Sequence, residues 1–484
     1  MHPAHNQPNP AAPQAAGLSH QPLAREHLPR GPGVLLGLVT AVDFWAQISV
    51  LLTAETIRNG LGAAPASFLW VLTIYAGAGI ATLPLIERAS RRWHYRQLIA
   101  GGIGLYLLGA LLAASSQTLW QLVLARLVQG IGGGGLFTMS RVYLQLVTPQ
   151  TERPAQLRGY IFGLMTAVAP LPWLAALSVQ HWNWRAGFVL QAAFALPVLL
   201  LVLTRLRTEQ HTPRSLGALD WPMSLSFALG MMLLLHGLEG LELARWSAHA
   251  SVLIALALVS LTFAAWRTQR HPDPLLRLHV LNGRRYLAGL AFYALYYLIN
   301  GAASYLYPRL FSEVLDLDLQ TTGALQSFAG TVTVLALPVY FRHAAKLGDR
   351  RRLIALGFAC AACCLLWLSW ALTHAASWPA LLGPMALKGI FPILGVIQIA
   401  GLTYTEVAHE DFAHAYALKN IVRLIANVFA AGLASQYWHM MSTWHAVSGA
   451  GGNPVVLTGQ NLLAMLAALC VLGMLLVRLQ KRLR

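Results

Sequence analysis

Asp43, Arg126 and Lys388 each lie in the middle of a long apolar segment of this sequence. A charged side chain in hydrocarbon is costly unless it is paired or faces water, so each requires an explanation. Asp43 lies about 14 Å and Arg126 about 10 Å from opposite edges of the hydrocarbon, so their depths differ by roughly 5 Å. The two can form an ion pair in which Asp43 binds and releases a proton and Arg126 favours its ionised form in one state. The alternative is a static pair that only fixes helix packing.

Lys388 lies about 15 Å into its own apolar segment, between Pro384 and Pro392. A lysine whose ammonium reaches the membrane surface lies near a helix end, and this one does not. We therefore expect Lys388 to face a cavity as a counterpart of Arg126. The alternative is that it binds backbone carbonyls freed by the two prolines. Two cations against one acid at this depth favour an anionic or zwitterionic bound molecule over a permanent cation.

The elements that must position these residues are apolar runs that approach the ~20 residues needed to cross hydrocarbon. Hydrophobic residues make up 57% of the 484 and charged residues 11%, with mean hydropathy +0.56. The net charge of +17 would suggest a nucleic-acid partner in a soluble protein. Here the basic residues are spread one loop at a time, which indicates a membrane protein and no nucleic acid. The sequence predicts an all-α polytopic protein with about fourteen helices. The runs lie near 34–57, 66–86, 97–116, 119–140, 159–180, 186–204, 221–238, 250–266, 286–308, 320–341, 353–373, 378–401, 416–439 and 460–478.

Most of the 34 lysines and arginines lie in alternate loops, and the intervening loops carry tryptophans such as Trp182 and Trp444. Because basic loops stay on the cytoplasmic side, this pattern predicts a multi-pass protein of the bacterial inner membrane with both termini in the cytoplasm. Residues 1–33, rich in Pro, Ala, Gln and His, are predicted to be a disordered cytoplasmic tail. Residues 479–484 are predicted to be a basic cytoplasmic tail.

The chain is internally repeated. Glu87, Arg88 and Arg91 follow the second apolar run, and Asp349 and Arg350 follow the tenth. An acid-plus-arginine turn in both halves is typical of a transporter made of two related bundles, and we expect these residues to act in gating. The predicted domains are a six-helix bundle at 34–204, a linker with two helices at 205–285 and a second six-helix bundle at 286–478.

Several short motifs occur in a recognisable order along the chain. They are Asp43 in the first run, Trp70 with Tyr75 in the second, Arg126-Leu-Val-Gln129-Gly130-Ile-Gly132 in the fourth, then Asn183-Trp184-Arg185, Asp220-Trp221, and Lys419-Asn420 with Arg423. Through these motifs the sequence resembles the major facilitator superfamily, specifically its fourteen-helix drug:proton antiporter branch, over about residues 34–478. Lys419 and Arg423 are expected near the cytoplasmic end of their helix, in topology or gating.

The sequence departs from this branch at two motifs. The first cytoplasmic turn has Leu83 in place of a glycine and Glu87 in place of an aspartate. The fifth-helix motif, normally Gly-Pro-x-x-Gly-Gly, reads Ala169-Pro170-Leu-Pro172-Trp173, so the proline kink remains and the close-packing glycines are missing. A third pattern, Gly130-x-Gly132-x-x-Gly135, matches a dinucleotide fingerprint in letters only. No strand precedes it, and we expect it to serve tight helix packing.

The resemblance implies a proton-coupled secondary active exporter of an amphipathic organic solute or drug, working by alternating access. The loops contain no nucleophile–base pair and no metal-ligand cluster, so we expect no enzyme activity, no cofactor and no metal. The resemblance allows a periplasmic adaptor and an outer-membrane channel as partners. Two alternatives stay open: an exporter of an acidic metabolite or carboxylate, and a membrane sensor or scaffold that does not transport. The expected site residues are Asp43 and Arg126 for proton coupling; Gln47, Tyr75, Gln129 and Lys388 for the solute cavity; and Glu87, Arg88, Arg91, Pro170, Asp349, Arg350 and Arg423 for gating.

Overall fold

The computed structural model describes residues 31–209, 220–239, 248–271, 277, 280–281, 283–343, 349–374, 377–404, 407–408, 411–448 and 453–480. The predicted tails at 1–33 and 479–484 lie almost wholly outside these residues and stay predictions. Fourteen helices in the described part are long and apolar enough to cross a membrane, which confirms the predicted all-α fold. We number them as spans 1 to 14. They are Gly33–Leu52, Ser67–Ser90, Tyr95–Ser115, Leu119–Val147, Arg153–His181, Trp184–Arg205, Trp221–Leu238, Ala248–Arg270, Arg284–Val314, Leu319–His343, Arg350–Thr373, Trp378–Thr403, Phe412–Ser448 and Pro454–Leu479.

Two separate apolar cores lie in the two halves of the chain. One is built from side chains between Phe292 and Val477, in spans 9 to 14. The other is built mainly from spans 1 and 3 to 6, with a few residues of the C-terminal half, such as Tyr286 and Tyr416, joining it. Since each half buries its own core, each can move largely as a unit, as expected of two six-helix bundles.

Spans 7 and 8 form a pair outside the two cores. Span 7 packs against span 2 and span 13 through a small cluster that includes Ala76, Met231, Leu235 and Ile421. Span 8 packs on span 7, and only 17% of its most apolar window is buried. This inserted pair therefore lies over a seam between the halves and presents most of span 8 to lipid.

Glycines allow the closest helix contacts in the N-terminal half. A Cβ atom on Gly130 would lie 2.5 Å from the Tyr75 carbonyl oxygen, and one on Gly134 would overlap the backbone of Gly79. A Cβ on Gly132 would overlap the backbone of span 3 at Tyr106. The interpretation of this glycine pattern as tight helix packing is confirmed.

Span 5 is interrupted at Pro170, between the helices Arg153–Val168 and Leu171–His181. The packing glycines that its motif lacks are found on the opposing span 10. A Cβ on Gly330 would lie 2.8 Å from Ala169 Cα, and one on Gly323 would lie 2.6 Å from the Pro172 carbonyl oxygen. Close approach at this seam is therefore preserved with the small residues on the other helix.

Span 13 is longer than its apolar run predicted. The helix extends over Phe412–Ser448, 37 residues, and not only 416–439. Its ends carry polar residues such as His414 and His445, which a hydropathy window leaves out although they continue the helix. As a result Arg423 lies eleven residues, about 16 Å, from the start of the helix, and its predicted position near a helix end is wrong.

Candidate functional site

Asp43 lies in span 1 and is fully buried. Its carboxylate accepts three hydrogen bonds. Arg423 Nη2 donates to Oδ2 at 2.7 Å, Tyr75 Oη donates to Oδ1 at 2.7 Å, and Gln47 Nε2 donates to Oδ1 at 2.9 Å. The charge of the carboxylate is thus met by one buried guanidinium and two neutral donors, the arrangement that a buried charge requires.

The ion-pair partner of Asp43 in this structure is Arg423 and not the predicted Arg126. The Arg126 guanidinium donates to Gln129 Oε1 at 2.7 Å and to the Val71 carbonyl oxygen at 3.3 Å, and it lies 4.1 Å from the centre of the Tyr75 ring. Tyr75 therefore contacts Asp43 through its hydroxyl and Arg126 through its ring. Two charged residues at similar depth can form an ion pair. Which cation contacts the carboxylate depends on which helices pack against each other.

A chain of amides continues from Arg126 into the N-terminal half. Gln129 Nε2 donates to Gln191 Oε1 at 2.7 Å, and Gln191 Nε2 donates to Ser49 Oγ at 2.6 Å. Tyr106 Oη donates to the same Gln191 oxygen at 3.2 Å. The sequence analysis missed Gln191 and Ser49. A glutamine inside an apolar run was the available signal, since a buried amide needs partners.

Arg423 joins the two halves of the molecule. Its Nε donates to Asn420 Oδ1 at 2.8 Å, and Asn420 Nδ2 donates to the Gly134 carbonyl oxygen of span 4 at 3.0 Å. With the bond to Asp43, span 13 is held to spans 1 and 4 by three charged or polar groups that are all buried. The Asn-x-x-Arg motif of the sequence pointed to these residues, but the role predicted for Arg423 was gating near a helix end and not a bridge between the halves.

A cavity of about 340 Å³ lies between the halves, beside this ion pair. Gln47 and Lys388 line it, as predicted, and so does Arg423. Tyr75 and Gln129 are not among the described lining residues, and their predicted place on the cavity wall is wrong. Both are buried in the N-terminal half, where they hold Asp43 and Arg126.

Lys388 reaches the cavity from span 12. Its Nζ donates to Gln326 Oε1 at 3.2 Å and lies 4.4 Å from the centre of the Tyr307 ring. Among the described contacts of this ammonium, the acceptor is a side chain of span 10 and not a carbonyl freed by the neighbouring prolines.

The gating residues predicted in the two acid-plus-arginine turns lie at the ends of spans 2 and 11. Glu87 pairs with Arg91 at 3.3 Å within one helical turn, and Arg88 between them is 3% exposed. Asp349 caps span 11, accepting from the Arg351 backbone N–H at 3.0 Å and pairing with Arg351 Nη2 at 2.8 Å. The hydrogen bond from the Arg351 side chain lowers the pKa of Asp349 to about 2. Arg350, predicted beside Asp349 in gating, is exposed.

Two helical bundles, a cavity between them with charged residues on its mainly apolar wall, and an ion pair that bridges the bundles are the features of a two-bundle membrane transporter. The sequence profile of the Major Facilitator Superfamily matches residues 34–431, and the chain belongs to that family. It is a multi-pass membrane protein of this transporter family.

Similar proteins of known name cover most of the chain. "Multidrug export protein EmrB" of Escherichia coli K12 is 25% identical over 91% of this chain and 86% of its own length. "Probable multidrug resistance protein EmrY" of the same organism is 23% identical over 85% of this chain and 80% of its own. Among solved structures, the xylose transporter XylE from E. coli, in a partially occluded inward-open conformation, is 16% identical and covers 93% of this chain and 96% of its own, with a TM-score of 0.59. The peptide transporter PepTSo, at 14% identity over 93% and 98%, has a TM-score of 0.63. These structures support the fold.

Proposed function

We propose that the protein is a proton-coupled exporter of amphipathic organic solutes that works by alternating access. The observation that carries the proposal is the buried Asp43–Arg423 pair, 2.7 Å long, which joins span 1 of one half to span 13 of the other beside a cavity. The relatives named as multidrug export proteins, similar over most of the chain, support an organic drug-like solute.

The pair can couple a proton to movement of the halves. When Asp43 binds a proton it loses the charge that holds Arg423, and the contact between spans 1 and 13 weakens. Arg423 keeps its bond to Asn420, at 2.8 Å, and stays on the cavity wall. Deprotonation restores the pair and favours the closed contact again. The protein can therefore exchange a proton for a solute without a nucleotide site.

Replacing the acid tests this mechanism. Asp43→Asn should reduce solute-dependent proton flux in proteoliposomes, followed with an entrapped pH dye and ethidium or 2-naphthoate as solute, by at least about tenfold, because an amide cannot titrate. Asp43→Glu should keep part of the flux, since the longer acid still titrates. Glu55→Gln is the matched control: Glu55 has a 65% exposed side chain in the short helix Ala54–Gly60 that follows span 1, and its loss should change little.

Normal flux in Asp43→Asn would contradict proton coupling at this residue. A sensor or scaffold would give no solute-dependent proton flux in the wild-type protein with either ethidium or 2-naphthoate.

We propose the bacterial inner membrane as its location, with both termini in the cytoplasm. The support is the alternation of basic loops with tryptophan-bearing ones. Reporter fusions after Arg96, Arg285 and Arg352 should report cytoplasm, and fusions at Trp182 and Trp444 should report the opposite side. One reversed fusion in the middle of the chain would contradict the orientation, because each span crosses the membrane once and successive loops must lie on alternate sides.

A further inference from the structure

Two cations that the mechanism above does not use face the cavity from opposite halves. Arg141 lies on span 4 and Lys419 on span 13. The Lys419 ammonium, in a side chain that is 1% exposed, lies 4.2 Å from the centre of the Tyr293 ring and 4.8 Å from that of Tyr404. Arg141 Nη2 donates to Tyr416 Oη at 3.1 Å. We refer to Arg141 and Lys419 as the cation pair.

The cavity wall carries more positive charge than the described residues compensate. Among its described lining residues are four cations, Arg141, Lys388, Lys419 and Arg423, and no aspartate or glutamate. Arg423 is neutralised by Asp43 behind the wall. For the other three the described residues provide tyrosine rings, a hydroxyl and an amide, but no carboxylate. Buried unpaired charge destabilises the empty protein, so its presence on a cavity wall indicates an anion that binds there.

The cation pair and Lys388 lie at opposite ends of the cavity. Lys419 stacks on Tyr293 and Lys388 on Tyr307, and both tyrosines belong to span 9. Fourteen residues of helix separate them, about 21 Å. One carboxylate therefore cannot contact both ends at once. Arg141 contacts Tyr416, which lies one helical turn from Lys419 on span 13, so the cation pair places two charged groups on one part of the wall, whereas Lys388 is single.

We propose that Arg141 and Lys419 form an anion subsite that binds the carboxylate of an amphipathic aromatic acid. The inference rests on the proposed function, since it assigns the solute class of the same cavity. Tyr160, Tyr293, Tyr297 and Phe44 line the wall and provide faces for an aromatic ring next to the charged group. A cavity of about 340 Å³ is at the small end of ligand sites and suits a one- or two-ring acid.

Binding to the purified full-length protein in nanodiscs tests the subsite, with 2-naphthoate as the acid and 2-naphthamide as its neutral isostere, by titration calorimetry. The wild type should bind the acid more tightly than the amide. Lys419→Gln and Arg141→Gln should each weaken 2-naphthoate binding by about tenfold or more, as expected for a lost charge-assisted hydrogen bond. Binding of 2-naphthamide should change by less than about threefold, because the ring contacts remain.

Three further variants control the interpretation. Lys419→Arg keeps the charge and should keep the preference for the acid, which also shows that the position tolerates change. Arg352→Gln removes an exposed cation outside the cavity and should leave both affinities unchanged. Equal affinity of the wild type for acid and amide, or loss of the acid's affinity in Lys388→Gln but not in Lys419→Gln, would overturn the proposal.

Failure of the anion subsite and failure of the proposed export give different results. If Asp43→Asn abolishes proton flux with a neutral solute while acid and amide bind equally, proton-coupled export stands and the anion subsite fails. If Lys419→Gln and Arg141→Gln abolish the preference for 2-naphthoate over 2-naphthamide, but neither the wild type nor any variant shows proton flux, the anion subsite stands and the proposed export fails.

Discussion

The Asp43 carboxylate is stabilised by partners from both halves, so its environment depends on how the halves are arranged. Tyr75 and Gln47 belong to the same half as Asp43, and Arg423 belongs to the other. Loss of one member of a buried ion pair leaves the other charge without compensation, which typically costs about 3–5 kcal/mol, whereas loss of both members is often close to neutral.

A double-mutant cycle separates the true partner from the predicted one. Asp43→Asn and Arg423→Gln should each lower the Tm of the purified protein, and the double variant should recover most of the loss, with a coupling of about 2 kcal/mol or more. The cycle of Asp43→Asn with Arg126→Gln should show less than about 1 kcal/mol, since Tyr75 lies between these two residues, with its hydroxyl on Asp43 and its ring against Arg126. A larger coupling to Arg126 than to Arg423 would contradict the observed pairing.

At this scale the sequence identified the acid but not its partner. Asp43 stood out because a lone carboxylate in an apolar run is costly, and that argument needs one helix only. The partner, the glutamine at 191 and the cation pair depend on which helices are neighbours. Hydropathy contains no information on that, so Arg126 was chosen by depth and Lys419 was assigned to topology.

At the scale of helices, span 4 approaches its neighbours through glycine at successive turns. Gly130 and Gly134 contact span 2, at Tyr75 and Gly79, and Gly132 contacts span 3. The location of the spans and this packing role could be read from the sequence, since both follow from composition along one helix. The length of span 13 could not be predicted from the sequence, because the helix continues through polar residues at both ends of its apolar run.

Gly134→Ala should destabilise the protein. The added methyl group overlaps the backbone of Gly79, which cannot rotate away as a side chain would, so we expect a loss of about 1–3 kcal/mol, measured as a lower Tm in detergent. Gly104→Ala on span 3 is the matched control. A Cβ there meets nothing within 4 Å, and the change should be neutral or stabilising by up to about 1 kcal/mol. Equal changes in Tm for the two variants would contradict a specific clash at Gly134, because only there does the added methyl group meet backbone.

At the scale of the whole molecule, the two halves meet along seams that must open and close in turn if the cavity is to face each side of the membrane. One seam joins spans 1 and 4 to span 13 through the Asp43–Arg423 pair and Asn420. Another joins span 5 to span 10 where Ala169 meets Gly330. The sequence predicted a kink at Pro170 but no packing partner for it, because the glycines that complete the motif lie about 150 residues further along the chain.

A reversible cross-link at the second seam tests whether the halves separate there. In a background without Cys360, Cys363, Cys364 and Cys470, the double change Ala169→Cys and Gly330→Cys should form a disulfide once the two backbones move slightly apart, since a Cβ on Gly330 would lie 3.1 Å from Ala169 Cβ, closer than the roughly 3.5–4.5 Å of a disulfide. Oxidation should lower solute-dependent proton flux by about tenfold or more, because the seam can no longer open, and reductant should restore it. Each single cysteine variant should be insensitive to oxidant, which controls for damage elsewhere. Full cross-linking with unchanged flux would show that transport proceeds without separation of spans 5 and 10, and the movement would then have to be sought at the seam held by Asp43 and Arg423.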